Sequence, residues 1–372
     1  MFLMMAEALQ FCAVASARPA SGFWRFLCHQ QSHAQWIGCS LHDLIQPSFS
    51  FLVGAVLPFS LASRAARGQS RRQMISHALV RALALILLGV VLRSITAGHV
   101  HWTFEDTLSQ IGLGYLFLFL LGFRSSRDHW MALAGILVGY WAAFVLYPAP
   151  ANFDYASVGV PPDSPHLMTG FAAHWNKNSN LAWAFDRWFL NLFPQSHPFR
   201  YNKGGYTTLA FIPTLATMIL GLIAGTILRD QRPPWAKVRW FAVAGVLGLA
   251  LGAAAGFCGI CPVVKRIWTP SWALYSGGWC FLFLAGFYAI IEIFGFKRWA
   301  FPLVVIGSNS IAAYCIANLL DTVVDRVSSY FGWTGGLGIS GPYAPLLNGA
   351  IALLLIWLAL YVMYRRKLFL RI

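Results

Sequence analysis

Ile75-Ser76-His77-Ala78-Leu79-Val80-Arg81-Ala82-Leu83-Ala84-Leu85-Ile86-Leu87-Leu88-Gly89-Val90-Val91-Leu92 decides the fold class of this chain. The stretch carries one charge, Arg81, and no proline. A helix needs roughly 20 apolar residues to cross the hydrocarbon core of a bilayer. Backbone groups left unpaired in lipid cost several kcal/mol each, so such a segment crosses as a helix. Arg81 lies near one end, where its stem lets the guanidinium reach the interface. Working outward, nine more segments read the same way: Met1–Ser16, Asp43–Ala62, Thr107–Phe123, Trp130–Tyr147, Tyr206–Leu228, Val238–Phe257, Trp272–Phe294, Ala300–Leu320 and Leu346–Tyr364. The first is short and Thr107–Phe123 is marginal. The expectation is an all-α, polytopic integral membrane helical bundle with about ten transmembrane helices, forming one domain over residues 1–372.

Composition agrees. Hydrophobic residues make up 58% of the chain and charged residues 10%, where a soluble domain carries about 25% charged. This excludes an ordinary soluble protein and a disordered one. The balance of 27 Lys and Arg against 12 Asp and Glu gives +15. A nucleic-acid binder gathers such charge on one face; here it falls in short groups between apolar runs, so no nucleic-acid partner is expected. Arg64, Arg67, Arg71 and Arg72 follow the second span, Arg229, Arg232, Lys237 and Arg239 the sixth, and Arg365, Arg366, Lys367 and Arg371 the last. Together with Arg124, Arg127, Lys297 and Arg298 they put sixteen cations on the even side, against six in the short odd connections. The positive-inside rule then places both termini in the cytoplasm, in an inner membrane if the chain is bacterial.

One long connection runs over residues 148–205. It is rich in aromatic residues, and Leu181–Leu190 reads as an interfacial helix within an extracytoplasmic cap. The apolar N-terminus ending in Ala15-Ser16-Ala17 has a rival reading as a signal peptide. No Lys or Arg precedes it and Glu7 interrupts it, so a first helix that begins late, truncated at its N-terminus, is preferred. Cys28 and Cys39 share an outside loop and can pair; Cys258 and Cys261 have the spacing of a redox pair, but small packing residues are the preferred account.

Chemistry concentrates in the first outside loop, where His29, His33 and His42 fall close together and Asp43 opens the second span. Imidazole exchanges protons near neutral pH, and a carboxylate beside it fixes its tautomer. The bland alternative makes these wet loop residues, with Asp43 as a helix N-cap. His29 and His33 have the spacing of one helical face, which admits a metal, but no supporting motif is present and none is expected. Further candidates are the polar groups within the spans: Glu7, Gln46, Ser109-Gln110 and Gly307-Ser308-Asn309-Ser310.

Four stretches together resemble the heparan-α-glucosaminide N-acetyltransferase family of membrane acyltransferases. They are His33-Ala34-Gln35-Trp36-Ile37-Gly38 with Asp43-Leu44-Ile45-Gln46-Pro47-Ser48-Phe49-Ser50-Phe51-Leu52-Val53-Gly54; the segment from Gly205 to Gly225; Lys265-Arg266-Ile267-Trp268-Thr269-Pro270-Ser271; and Gly307-Ser308-Asn309-Ser310-Ile311-Ala312-Ala313-Tyr314. The resemblance implies transfer of an acetyl group from cytosolic acetyl-CoA to a carbohydrate or amine acceptor across the membrane, with lipid as surroundings and a homo-oligomer as an option. It implies His33 and Asp43 as catalytic residues, and Trp36, Glu7, Gln46, Asn309 and Lys265 as substrate-binding ones. Replacing His29 or His42 is expected to cost much less than replacing His33. The family's usual Ser-Leu-Asp-x-x-Arg-Gly opening has no counterpart here, and Glu7 lies near the place of a family Asn. A transporter or lipid-handling protein is the alternative, and a non-catalytic partner subunit is a third possibility.

Overall fold

The computed structural model describes residues 1–148, 150, 152–195, 197–319 and 341–370. Its helices in chain order are α1 (Phe2–Met5), α2 (Phe11–Ala17), α3 (Gly22–Gln31), α4 (Ile45–Ala66), α5 (Arg71–Ala97), α6 (Thr107–Leu121), α7 (Ser126–Leu146), α8 (Leu181–Phe189), α9 (Phe211–Arg229), α10 (Pro234–Phe257), α11 (Pro270–Tyr288), α12 (Phe301–Ser308), α13 (Ser310–Leu319) and α14 (Ala344–Arg365). Among the described residues, seven helices are long and apolar enough to cross a membrane, or eight if the bent pair α12–α13 is one span. The count of about ten is therefore approximate: the N-terminal segment and α6 form shorter apolar helices. The chain is an integral membrane protein by these helices. Outward faces stay apolar, as Leu79, Leu83 and Leu87 on α5 and Val243, Val246 and Leu247 on α10 show, which suits contact with lipid tails.

Two compact units divide the chain: Met1–Ala34, Ser40–Ile45 and Gly295–Ile372 form one, and Gln35–Cys39 with Gln46–Phe294 the other. In the first, the expected N-terminal span is broken. Gln10 adopts a left-handed conformation (φ 49°) between a 3₁₀ turn and α2. Such a break frees backbone groups that need new partners, and the Gln31 side chain supplies them. Its Oε1 accepts from Phe11 N at 2.7 Å and its Nε2 donates to Ala6 O at 2.8 Å. The span after Lys297 is broken likewise, α12 and α13 meeting at 73°. Asn309 sits at that bend, donating to Leu368 O at 3.1 Å and accepting from Leu370 N at 3.1 Å.

In the second unit α9 is the most enclosed of the long helices, because small residues let its backbone touch α4. A Cβ added at Gly221 would lie 1.8 Å from Phe51 O, and one at Gly54 would lie 1.8 Å from Met218 O. Close small-residue crossings drive helix association in lipid, where the hydrophobic effect no longer does so. Gln110 of α6 donates to the carbonyls of Phe104, Thr207 and Thr208, so this buried amide ties elements together. The helix expected over Leu181–Leu190 is present as α8, and its Ala182, Trp183 and Asp186 face into the protein.

Asp186 is 2% exposed and accepts from Thr208 N at 2.9 Å. Burial pushes its carboxyl up to about 7, against the hydrogen bonds from Thr208 that favour the charged form. A carboxyl raised above its unfolded value holds its proton longer in the native state. Stability therefore falls as pH rises from about 4 towards 7, and stays lower above that. The displacement corresponds to roughly 4 kcal/mol at most. The wild-type melting temperature is expected to drop between pH 5 and pH 8, and Asp186→Asn to remove part of that slope, the rest coming from Glu105, whose carboxyl burial also pushes up to about 7. A wild-type profile flat over this interval would contradict the assignment.

The partner of Cys28 differs from expectation. Cys28 is bonded to Cys12, which joins α2 to α3, rather than to Cys39. Cys258 and Cys261 stay as thiols, one exposed and one buried.

Candidate functional site

The loop after α3 is folded around one carboxylate. Asp43 lies in a 3₁₀ turn (His42–Leu44) just ahead of α4, and its side chain is 1% exposed. One oxygen, Oδ2, accepts from Ala34 N at 3.0 Å and Ser40 N at 3.1 Å, with Ser40 Oγ at 3.0 Å. The other, Oδ1, meets His33 Nδ1 at 2.8 Å. Ser40 Oγ also lies 2.6 Å from Ser32 O, which fastens the start of the loop to its end. These contacts reach back along the loop towards His33. A buried carboxylate needs such donors to offset its lost hydration.

The consequence for His33 is chemical. With a carboxylate at Nδ1, that nitrogen carries the proton and donates it, which leaves Nε2 with a lone pair. The His33 side chain is 39% exposed while its orienting partner is almost sealed. An accessible imidazole with a fixed tautomer can act as a general base or as a nucleophile.

A second imidazole sits alongside. The His42 ring is 4.6 Å from the His33 ring, tilted by 56°, and His42 Nε2 is 3.8 Å from Glu7 Oε2. His42 is 7% exposed, so it is a packed neighbour of His33 rather than a wet loop residue. Glu7, by contrast, has a largely exposed side chain. His29 is on α3, which ends at Gln31, and His33 lies beyond that end. The two therefore do not share a helical face, and among the described residues no three His, Cys, Asp or Glu side chains gather to hold a metal.

The other expected substrate-binding residues have different surroundings. In the second unit, Trp36 is buried, with Nε1 donating to Trp175 O at 3.1 Å. It packs with Tyr140, Phe144, Val264 and Ile267 and forms part of the wall of a cavity of about 340 Å³. Lys265 is buried in the turn before α11, where its carbonyl accepts from Trp268 N at 2.8 Å. Gln46 is half-buried on the first turn of α4. Asn309 has both ends of its amide engaged by the C-terminal tail.

Sequence reasoning passed over Ser40 and the cavity residue Lys177, and it ranked His42 with His29 rather than beside His33. Only His42 carried a signal, its place beside Asp43.

Comparison with known proteins bears on this site. Over 94% of its length the chain is 22% identical to the heparan-alpha-glucosaminide N-acetyltransferase of Homo sapiens. It is 23% identical to the same enzyme of Mus musculus over 94% of its length. The chain is a distant relative of the heparan-alpha-glucosaminide N-acetyltransferases. It spans 56% of the human protein and 57% of the mouse protein, little more than half of each. No family model matches it. The 94% coverage of this chain takes in the first loop, so the relationship to these N-acetyltransferases extends across the His33–Asp43 pair.

Proposed function

We propose that this protein is a membrane acyltransferase that passes an acetyl group from cytosolic acetyl-CoA to a carbohydrate or amine acceptor on the extracytoplasmic side. The observation that carries the reading is the 2.8 Å contact between His33 Nδ1 and the buried Asp43. Two routes use the same atom, His33 Nε2. As a nucleophile it attacks the thioester carbonyl; the C–S bond breaks, the CoA thiolate leaves and takes up a proton, and an acetyl-imidazole remains for the acceptor to attack. As a base it removes the proton from the acceptor amine or hydroxyl while that group attacks the thioester directly; the C–S bond breaks, and the leaving CoA thiolate takes up a proton as the ring returns to its neutral form. In both, Asp43 stabilises the positively charged ring. The cytoplasmic arginines suit the phosphates of CoA, since guanidinium binds such oxygens in pairs. The same charges support a topology with both termini in the cytoplasm.

The test is ligand binding followed by label transfer. Saturating acetyl-CoA is expected to raise the melting temperature of the detergent-solubilised chain, because a ligand that binds only the native state stabilises it. Acetyl-labelled acetyl-CoA is then expected to leave label on the protein if the nucleophilic route operates, or on an added amino sugar in either route. An unchanged melting temperature would favour transport of a small solute. The observation on that side is the pair of broken spans, at Gln10 and at Asn309, since interrupted helices often line substrate paths.

A further inference from the structure

An acetyl group on His33 creates a need that His33 itself cannot meet. In the nucleophilic route Nε2 carries the acetyl group, while Nδ1 keeps its proton towards Asp43 Oδ1 at 2.8 Å. Neither nitrogen is then a base, yet the acceptor must lose a proton as it attacks. A second proton acceptor is required beside the first ring. The His42 ring centre stands 4.6 Å from that of His33, and His42 is buried in the same 3₁₀ turn as Asp43. It has a carboxylate of its own: Glu7 Oε2 lies 3.8 Å from His42 Nε2. All four side chains belong to the first compact unit. The backbone explains how an acid from an apolar segment reaches this place. Glu7 lies on the 3₁₀ turn Ala6–Leu9, which ends at the left-handed Gln10. Gln31 Nε2 braces that turn by donating to Ala6 O at 2.8 Å and Glu7 O at 3.5 Å. The Glu7 side chain is largely exposed and that of His42 buried, so the pair runs from a packed imidazole to solvent. Charge then sets the order of events. Acetylated His33 carries a positive ring, held by Asp43, and a second imidazolium 4.6 Å away is disfavoured. His42 therefore stays neutral while the acetyl group is in place. Once that group has left, His33 is neutral again, and a protonated His42 is favoured by Glu7.

We propose that His42, backed by Glu7, is the base of the second half-reaction, taking the acceptor's proton while His33 holds the acetyl group. The proposal rests on the acyltransferase reading and selects its nucleophilic route. The acceptor nitrogen or oxygen attacks the acetyl carbonyl, and its proton passes to the His42 ring. The bond from the carbonyl carbon to His33 Nε2 breaks, and that electron pair returns to Nε2. Protonated His42 then releases its proton to water beside Glu7. Over both half-reactions the acceptor loses one proton and the CoA thiolate gains one, by way of solvent.

The experiment times the two half-reactions separately on the full chain in detergent. One is uptake of label by the protein from acetyl-labelled acetyl-CoA, and the other is passage of that label to added glucosamine. In His42→Asn, uptake is expected to stay within about threefold of wild type, while passage to glucosamine slows about a hundredfold, the low end of what a positioned base is worth. Glu7→Gln is expected to slow the second step alone, by about fivefold, the scale of a partly exposed ion pair. A rise in melting temperature with acetyl-CoA checks that each variant is folded. If His42→Asn fails that check, Glu7→Gln decides, because its side chain is largely exposed. Equal slowing of both steps would make His42 only a support for the His33 ring and would overturn the proposal. So would wild-type passage of label by the folded variants, or transfer to glucosamine with no label ever held on the wild-type protein. A wild-type chain that neither takes up nor transfers label would instead remove the acyltransferase reading itself, and the proposal with it.

Discussion

Replacing His33 with Ala is expected to lower acetyl transfer by about 10²–10⁴-fold, the usual worth of a positioned acid–base group, with folding and acetyl-CoA binding kept. The fold survives because His33 is a partly exposed loop side chain, and Asp43 retains Ala34 N, Ser40 N and Ser40 Oγ when the ring is gone. Asp43→Asn is expected to cost a similar factor by a different route. Its amide oxygen takes the place that receives Ala34 and Ser40, which turns the NH₂ towards His33 Nδ1. That nitrogen must then accept, the proton moves to Nε2, and the reactive lone pair is lost. His29→Ala is expected to be nearly silent. His42→Ala is expected to fall between them, because its ring packs 4.6 Å from His33. Near-normal turnover in His33→Ala would eliminate the mechanism outright.

The largest structural effect is expected at the crossing of α4 and α9. Gly221→Val forces a branched side chain into space that Phe51 O already occupies at 1.8 Å from the first added carbon. The obstacle is backbone, which cannot rotate away as a side chain can, so the helices must separate. The cost lies at or above the top of the overpacking range, about 3 kcal/mol, and should appear as a large drop in melting temperature or as loss of folded protein. Gly286→Ala on α11 is the control. Nothing lies within 4 Å of an added Cβ there, so no loss of stability is expected. Equal behaviour of the two variants would show that the α4–α9 contact does not hold the bundle.

Much of this architecture was legible along the chain, and the reason is local. Lipid cannot satisfy backbone polar groups, so an apolar stretch such as Ile75–Leu92 has one available conformation, and α5 follows. All ten segments marked by hydropathy have a helical counterpart among the described residues, two of them short and one bent. Where the reading strayed, the deciding groups were distant in sequence. Cys28 bonded to Cys12 rather than to Cys39 because α2 and α3 pack side by side. Hydropathy says nothing of such a pairing.

The site divides along the same line. His33 and Asp43 stand in one short loop; spacing alone favoured wet loop residues with Asp43 as a helix N-cap, and the resemblance to the family's motif is what marked His33. The sequence by itself therefore determined a helical membrane protein with a histidine–carboxylate candidate at the mouth of α4. Only the tertiary structure decided that Nδ1 of His33 is the nitrogen bound, that His42 packs against its ring, and that Glu7 meets His42 from a separate segment. Periodicity reports what each segment must bury, but hydrogen-bond geometry and the meeting of charges depend on which segments pack together.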